Sequence, residues 1–211
     1  MKKQEIIDSI SQNGYCVIHQ EIQNLEEVVK ESKNLCTGKS YERGANHWAK
    51  PTSISQSLLQ VVTNDLVRDI YEKEYNSIMQ DICITHEYNS DNVSRNNYVH
   101  FDRLRSMKML VYLTEVTEKS GPFCISSGTH KIGKKLRRQF MNQHSYQKKK
   151  NRLELDYPDI KFEMKPILGP AGTTILFDSD TFHKGGEVMP GFSRLVIRSH
   201  WYRDGNWRVV S

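Results

Sequence analysis

The second half of the sequence, from Ile82 onward, is a succession of short β-type segments separated by turn sequences, and this pattern limits the possible folds most. The segments are rich in Val, Ile, Phe and Tyr, which suit a pleated, half-buried surface. The breaks between them, at 120–122, 169–172 and 190–191, carry Gly, Pro, Ser and Ala. Many short strands at this spacing predict a jelly roll or a related barrel. Alanine occurs at only three positions, which argues against a helical bundle.

The N-terminal part, residues 1–80, has a different pattern. Apolar residues recur there at helical spacing, while residues 38–53 are rich in Gly, Ser, Lys and Pro and are expected to form a loop. We expect three helices, over 4–12, about 24–35 and 58 to about 76, and one short strand over 15–18. The whole chain, 1–211, is therefore predicted to be a single, mainly β domain, a jelly roll or related barrel whose N-terminal helices pack on one side.

The net charge of +5 comes from one segment, residues 131–152, which contains nine Lys and Arg and no Asp or Glu. We interpret this segment as an insertion between strands of the barrel. It is either a lid that closes over an anionic substrate or a solvated surface flap. Attraction of a substrate by such a patch would weaken with ionic strength.

The sequence also bears on the cellular location. No apolar run approaches the ~18 residues that a membrane-spanning helix requires. The four cysteines form no C-x-x-C pair, so we expect reduced, structural thiols in a cytoplasmic protein that does not contact a membrane.

Two residue pairs have the spacing of a histidine and a carboxylate on one face of a strand. The pair His100 and Asp102 lies in the strand-rich part, where positions i and i+2 project to the same side. The pair His19 and Glu21 lies between two expected helices, and we regard it as coincidence. A hydrogen-bonded structural pair is the alternative interpretation of His100 and Asp102.

A third candidate ligand and a candidate anion-binding group follow further along the chain. His183 comes shortly after the expected strand 173–177, and Arg194 lies eleven residues later. Two imidazoles and one carboxylate form the facial triad of non-haem Fe(II) oxygenases, which leaves coordination positions open. A nearby guanidinium suits the distal carboxylate of 2-oxoglutarate, because its planar fork donates two parallel charge-assisted hydrogen bonds.

Other residues of the expected strands are candidates for the wall of such a site. Lys108 shares one face of the strand 108–114 with apolar residues, and a lysine on an inward face needs an anionic partner. We therefore expect Lys108 to contact the cosubstrate or the substrate, with an outward, solvated lysine as the alternative. For His86 and Tyr88, the sequence does not distinguish a position in the wall of a cavity from ordinary core packing.

The order and spacing of these residues resemble the phytanoyl-CoA dioxygenase family. The resemblance is carried by the following motifs: Gly14-Tyr15, Leu25-Glu26-Glu27, His100-Phe101-Asp102, Lys108 to Val116, Ser120-Gly121-Pro122-Phe123, Ser127-Gly128-Thr129-His130-Lys131, Gly172 to His183, and Arg194. It covers most of the chain except about 38–75 and the basic insertion.

The resemblance implies a double-stranded β-helix and oxygenation that depends on Fe(II), 2-oxoglutarate and O₂. Carried over position by position, His100, Asp102 and His183 are the expected iron ligands and Arg194 the expected anchor of 2-oxoglutarate. Asn97 matches a position that often touches the cosubstrate in that family. The carboxylate at 102 argues against halogenation, since iron halogenases of the wider family replace it by a small residue.

We therefore expect a hydroxylase that acts on an unactivated C–H bond of a small, anionic metabolite. One alternative is an oxygenase acting on nucleic acid, which the basic insertion suggests. That insertion, however, has few of the interleaved aromatic residues that single-stranded nucleic acids stack on. The other alternative is a catalytically silent jelly-roll binding module that keeps a metal for structure.

Overall fold

The computed structural model describes residues 1–88, 97–141 and 152–203. The helices are α1 Lys3–Asn13, α2 Leu25–Cys36, α3 Gln56–Val62, α4 Asp65–Lys73, α5 His130–Met141 and α6 Leu153–Asp156. The strands are β1 Tyr15–His19, β2 Gly44–Ala49, β3 Ser77–Glu87, β4 Met107–Tyr112, β5 Phe123–Ile125, β6 Lys165–Ile167, β7 Thr173–Asp178, β8 His183–Gly185 and β9 Arg194–Arg203. None of the helices in these three ranges is long and apolar enough to cross a bilayer.

The strands form two antiparallel sheets. The large sheet has six strands in the order β1-β7-β4-β9-β3-β2, and the small sheet has three in the order β6-β5-β8. Apart from β2 and β3, neighbours in the large sheet are not consecutive in sequence, and from β4 onward the chain crosses four times between the two sheets. This is the connectivity of a jelly roll, and it confirms the predicted fold class.

The space between the two sheets is filled by large apolar side chains. Leu110, Tyr112, Ile175 and Phe177 come from β4 and β7 of the large sheet, and Phe123 comes from β5 of the small sheet. Their period-two spacing within β4 and β7 confirms the expected alternation of strand faces. Because Lys108 has the same parity as Leu110 and Tyr112, its side chain also starts on the inner face.

The opposite face of the large sheet is covered by the N-terminal helices. Met109 and Val111 of β4 and Leu176 of β7 pack there with Ile6 of α1 and Val28 of α2. The central strands of the large sheet are therefore buried on both sides, between a helical layer and the small sheet. The predicted packing of N-terminal helices on one sheet is confirmed.

Two parts of the N-terminal region differ from the sequence prediction. Residues Gly44–Ala49, expected to be loop, form β2 and pair along the whole of their length with β3 at the sheet edge. The expected single helix over 58 to about 76 is two helices, α3 and α4. It is interrupted because Asn64 caps α4, its side chain accepting hydrogen bonds from the backbone N–H groups of Leu66 and Val67.

The first part of the basic segment, where it is described, is a packed helix. In α5, Leu136 is buried, and the guanidinium of Arg137 forms two hydrogen bonds with the carboxylate of Asp180. Residues 142–151 lie outside the described part of the chain, so the predicted lid over 131–152 stays a prediction. All four cysteines are buried, and none forms a disulfide.

Candidate active site

The two candidate histidines are brought together by backbone pairing. His100 and His183 form an isolated antiparallel bridge, in which each N–H donates to the carbonyl of the other, at 3.0 and 2.9 Å. Residues paired in this way project their side chains to the same side of the ladder. The two imidazole centroids are accordingly 4.4 Å apart. The expected strand 99–102 is reduced to two isolated bridges of His100, one with His183 and one with Arg152.

Asp102 joins the two histidines from the same segment as His100. Its backbone N–H donates to the carbonyl of Ser179 at 2.9 Å, which fixes the segment against the loop that precedes His183. The carboxylate Oδ1 lies 3.8 Å from the His183 Nε2. One ligand atom from each of the three residues lies within 4.8 Å of the others, so a single ion is within reach of all three.

Backbone carbonyls determine which ring nitrogen of each imidazole carries the proton. The Nδ1 of His100 lies 2.8 Å from the carbonyl of Tyr98, and the Nδ1 of His183 lies 2.7 Å from that of Thr181. A carbonyl only accepts hydrogen bonds, so each Nδ1 is the donor. The lone pair of each neutral ring is then at Nε2, the arrangement that carbonyl partners commonly impose on metal-ligating histidines.

The electrostatics of the cluster also suit metal ligation. Burial, followed by the field of His100, lowers the pKa of His183 to about 3, so this imidazole is neutral at ordinary pH. Burial of Asp102 disfavours its charged form, but the ammonium group of Lys108 outweighs it and holds the pKa of Asp102 well below its usual value. Lys108 is directed inward and forms an ion pair with Oδ2 of Asp102.

Arg194 is buried at the start of β9, next to the small sheet. It lies opposite Glu87 in the pairing of β3 with β9, and the two side chains form an ion pair. Its Nε and Nη1 are buried and form no hydrogen bond within the described residues. A Cβ added to Gly185, two residues after His183, would lie 3.3 Å from the Arg194 Nη2, so the glycine allows the guanidinium to approach this strand closely.

A second arginine at this place was missed by the sequence analysis. Arg43 is fully buried, and its Nη2 donates to the carbonyl of Gly186 and lies 3.8 Å from Glu87. Its Nε and Nη1 also form no hydrogen bond within the described residues. No sequence signal pointed to it, because residues 38–53 showed no strand pattern. The Gly185-Gly186 pair after His183 was the one sequence feature that indicated a close approach of another group to the backbone here.

The remaining predicted residues lie in different surroundings. Asn97 is half-buried at the beginning of the segment that carries His100. His86 has the same parity in β3 as Ile84, which packs against the helices, so it lies on the outer face of the large sheet. Tyr88 is half-exposed and contacts the ring of His86. His19 is exposed at the end of β1.

A jelly roll in which two histidines and one aspartate converge at the end of a small sheet is the arrangement of non-haem metal oxygenases. The family described as phytanoyl-CoA dioxygenase (PhyH) matches residues 17–196, and the chain belongs to this family of Fe(II)- and 2-oxoglutarate-dependent oxygenases. The family resemblance of the sequence is thereby confirmed. A search of curated proteins found no match.

Solved structures share the fold at low sequence identity. HygX from Streptomyces hygroscopicus, with nickel and 2-oxoglutarate bound, has a TM-score of 0.69 and 14% identity over 99% of this chain and 91% of its own. The 2-oxoglutarate-dependent epimerase SnoN from nogalamycin biosynthesis has a TM-score of 0.68 and 11% identity, covering 95% and 82%. EctD from S. alaskensis, with 2-oxoglutarate and 5-hydroxyectoine, has a TM-score of 0.66 and 15% identity, covering 98% and 77%.

Proposed function

We propose that this protein uses Fe(II), 2-oxoglutarate and O₂ to hydroxylate a C–H bond of a small, anionic metabolite. Membership of the phytanoyl-CoA dioxygenase family supports the reaction class. The main structural support for the proposal is the cluster of His100, Asp102 and His183, whose ligand atoms lie within 4.8 Å of one another. The neighbours of similar fold include enzymes solved with iron or nickel and with 2-oxoglutarate.

The residues present fit the metal. In this proposal His100 and His183 bind it through Nε2, since each Nδ1 is used by a carbonyl. Asp102 binds through Oδ1, because Oδ2 is engaged by Lys108. Two nitrogens and one carboxylate oxygen are the donor set of Fe(II) sites that leave open positions for cosubstrate and oxygen. Lys108 is then a positioning residue for the carboxylate and not the cosubstrate ligand that the sequence suggested.

The residues present also fit 2-oxoglutarate. The buried Nε and Nη1 of Arg194 have no partner within the described residues, and a carboxylate supplies the acceptors that they lack. Phe123 and Phe177 contact the ring of His183, with centroids 5.6 and 5.2 Å away, and form an apolar wall that excludes water from this side. When bound, iron, 2-oxoglutarate and O₂ as the oxidant would supply the oxidising chemistry, and the protein supplies the ligand geometry and an apolar wall.

Binding of the metal and cosubstrate is tested first, without a substrate. Under anaerobic conditions, Fe(II) and 2-oxoglutarate should produce the weak visible charge-transfer absorption of a chelated 2-oxo acid. Asp102→Ala should lose this absorption, while Lys119→Ala, which changes an exposed charge away from the cluster, should retain it. A wild-type protein without the absorption would favour the catalytically silent binding module.

The reaction is tested by its products. A screen of anionic small molecules should identify compounds that stimulate succinate release, and a hydroxylated product gains one oxygen atom, a mass increase of about 16 Da. SnoN, which has a similar fold, is an epimerase. A product of unchanged mass and altered stereochemistry would therefore indicate epimerisation instead of hydroxylation. Turnover of oligonucleotides and of no small molecule would favour the nucleic-acid alternative.

The anionic character of the substrate rests on the charge of α5. Lys131, Lys134, Lys135 and Arg138 line a single open groove on the surface of this helix. A cationic surface raises the local concentration of anions, and the effect falls with salt. We expect the KM of the true substrate to rise with ionic strength, and a KM that is independent of salt would contradict the anionic assignment.

A further inference from the structure

We propose that Arg43 is a second guanidinium anchor, which binds the distal carboxylate of the 2-oxo acid together with Arg194. This inference rests on the proposed function and deepens it. It makes the anion pocket a site formed by two arginines and one glutamate. Arg43 would thereby contribute to the preference for a dicarboxylic cosubstrate over a 2-oxo acid without a distal charge.

The backbone at the start of β2 directs Arg43 into the molecule. Tyr41 and Gly44 form a tight turn through two reciprocal backbone hydrogen bonds, and the carbonyl of Arg43 accepts from the N–H of Tyr88. Gly44 has φ 147°, and a Cβ there would lie 2.2 Å from the His86 carbonyl oxygen. Only a glycine permits this close approach, which holds the turn against the end of β3.

The two guanidinium groups converge on one point of the small sheet. A Cβ built on Gly185 would lie 2.8 Å from the Arg43 Nη1 and 3.3 Å from the Arg194 Nη2. Gly185 is in β8, two residues after His183, so this point adjoins the candidate metal cluster. His183 and Gly185 are two residues apart in one strand, so the two guanidinium groups lie on the face of β8 to which the side chain of His183 projects.

The charge of the pocket is unbalanced in favour of an anion. Glu87 is the one carboxylate among the described residues that forms an ion pair with Arg43 or Arg194. Two buried cations and one buried anion leave a net positive charge. Four buried guanidinium nitrogens, the Nε and Nη1 of each arginine, also form no hydrogen bond within the described residues. Buried charge is costly unless it is paired, and a carboxylate would supply both the charge and the acceptors.

A purely structural role explains less of this arrangement. If Arg43 served only to neutralise Glu87, that carboxylate would not need the closer ion pair that it already makes with Arg194. The bond from Arg43 Nη2 to the Gly186 carbonyl orients the guanidinium and leaves Nη1 beside Gly185, without a hydrogen bond within the described residues.

The experiment compares two ligands that differ only at the distal end. 2-Oxoglutarate and 2-oxopentanoate are titrated anaerobically into the Fe(II) protein, and dissociation constants are read from the charge-transfer absorption. Arg43→Met should weaken the binding of 2-oxoglutarate by ~10- to 100-fold, the range that loss of a charged hydrogen bond produces. The affinity for 2-oxopentanoate should stay unchanged. Arg198→Met is the matched control, a half-buried arginine on β9 that bonds Cys83 and Thr85 and should leave the ratio of the two affinities unchanged.

A second variant covers the case in which Arg43→Met does not fold. Gly185→Ala keeps both arginines but places a methyl group in the space between them, and it should also weaken 2-oxoglutarate selectively. Equal weakening of both ligands in either variant, or no change in either, would overturn the role of Arg43. If the wild-type protein binds neither ligand, the proposed function itself fails. If the wild-type protein binds 2-oxoglutarate and the variant has the same selectivity, only the role of Arg43 fails.

Discussion

Replacing Gly133 by alanine should destabilise the protein, although the same change stabilises an ordinary helix. Gly133 lies in α5, and a Cβ at this position would be 1.9 Å from the backbone oxygen of Asp180. Ordinary contact begins at 3.4 Å, so α5 must withdraw from the loop before His183 by about 1.5 Å. Because the clash is between two backbone segments, no side-chain rotation relieves it.

The magnitude follows from three contributions. Alanine gains about 1 kcal/mol over glycine in helix propensity. Overpacking of a close contact costs about 1–3 kcal/mol. Withdrawal also lengthens the two hydrogen bonds of Arg137 to Asp180, now 2.6 and 3.0 Å, and a charged hydrogen bond contributes about 1.5–3 kcal/mol. We expect a net loss of about 2 kcal/mol in the free energy of unfolding, which lowers Tm by about 4–8 °C in a chain of this size.

Urea and thermal unfolding followed by far-UV circular dichroism measure this effect. Lys135→Ala is the matched control, because it introduces the same residue at an exposed position of the same helix. Its stability should stay within about 0.5 kcal/mol of the wild type, as for most surface substitutions. A Gly133→Ala protein as stable as the control would refute the close packing of α5 against the Asp180 backbone.

Three further changes test the interior and the metal cluster. Tyr112→Phe should cost about 1–3 kcal/mol in urea unfolding, since the buried hydroxyl accepts from the Phe123 N–H and donates to the Ile167 carbonyl; a neutral effect would contradict this bridge. Metal at 100 times its Kd should stabilise the wild type by about 2.7 kcal/mol in a thermal shift, and Asp102→Ala should lose this gain at the same concentration. Lys108→Met should weaken metal binding by ~10- to 100-fold in an anaerobic titration, and unaltered affinity would exclude a positioning role.

The features that could be predicted from the sequence are those encoded within a few residues. The i, i+2 spacing placed His100 and Asp102 on one side although only His100 pairs as β-structure, because an extended backbone suffices for this projection. Alternation along β4 likewise placed Lys108 on the inner face. The pairing of His100 with His183 depends on the register of distant strands, so spacing alone did not define it and the family resemblance was needed.

β2 shows how tertiary pairing overrides local preference. Its sequence, Gly44–Ala49, has little alternation, and most of its residues are only half-buried. It becomes a strand because it pairs with the edge of β3 opposite to the edge that pairs with β9. Strand propensity mainly reflects packing against such neighbours, so a polar segment at a sheet edge is easily mistaken for a loop.

The residues of the proposed anion pocket were partly hidden in the sequence, because composition does not distinguish buried charges from surface charges. Arg and Glu are mostly exposed in proteins, so Arg43 and Glu87 gave no reason to expect burial. Their surroundings arise from register, since Glu87 lies opposite Gly44 on one side and opposite Arg194 on the other. Pairing with strands on both sides thus brings the residue before Gly44 and the first residue of β9 to one carboxylate. Arg194 was found because its distance from His183 follows a family pattern, whereas no comparable spacing connects Arg43 to either residue.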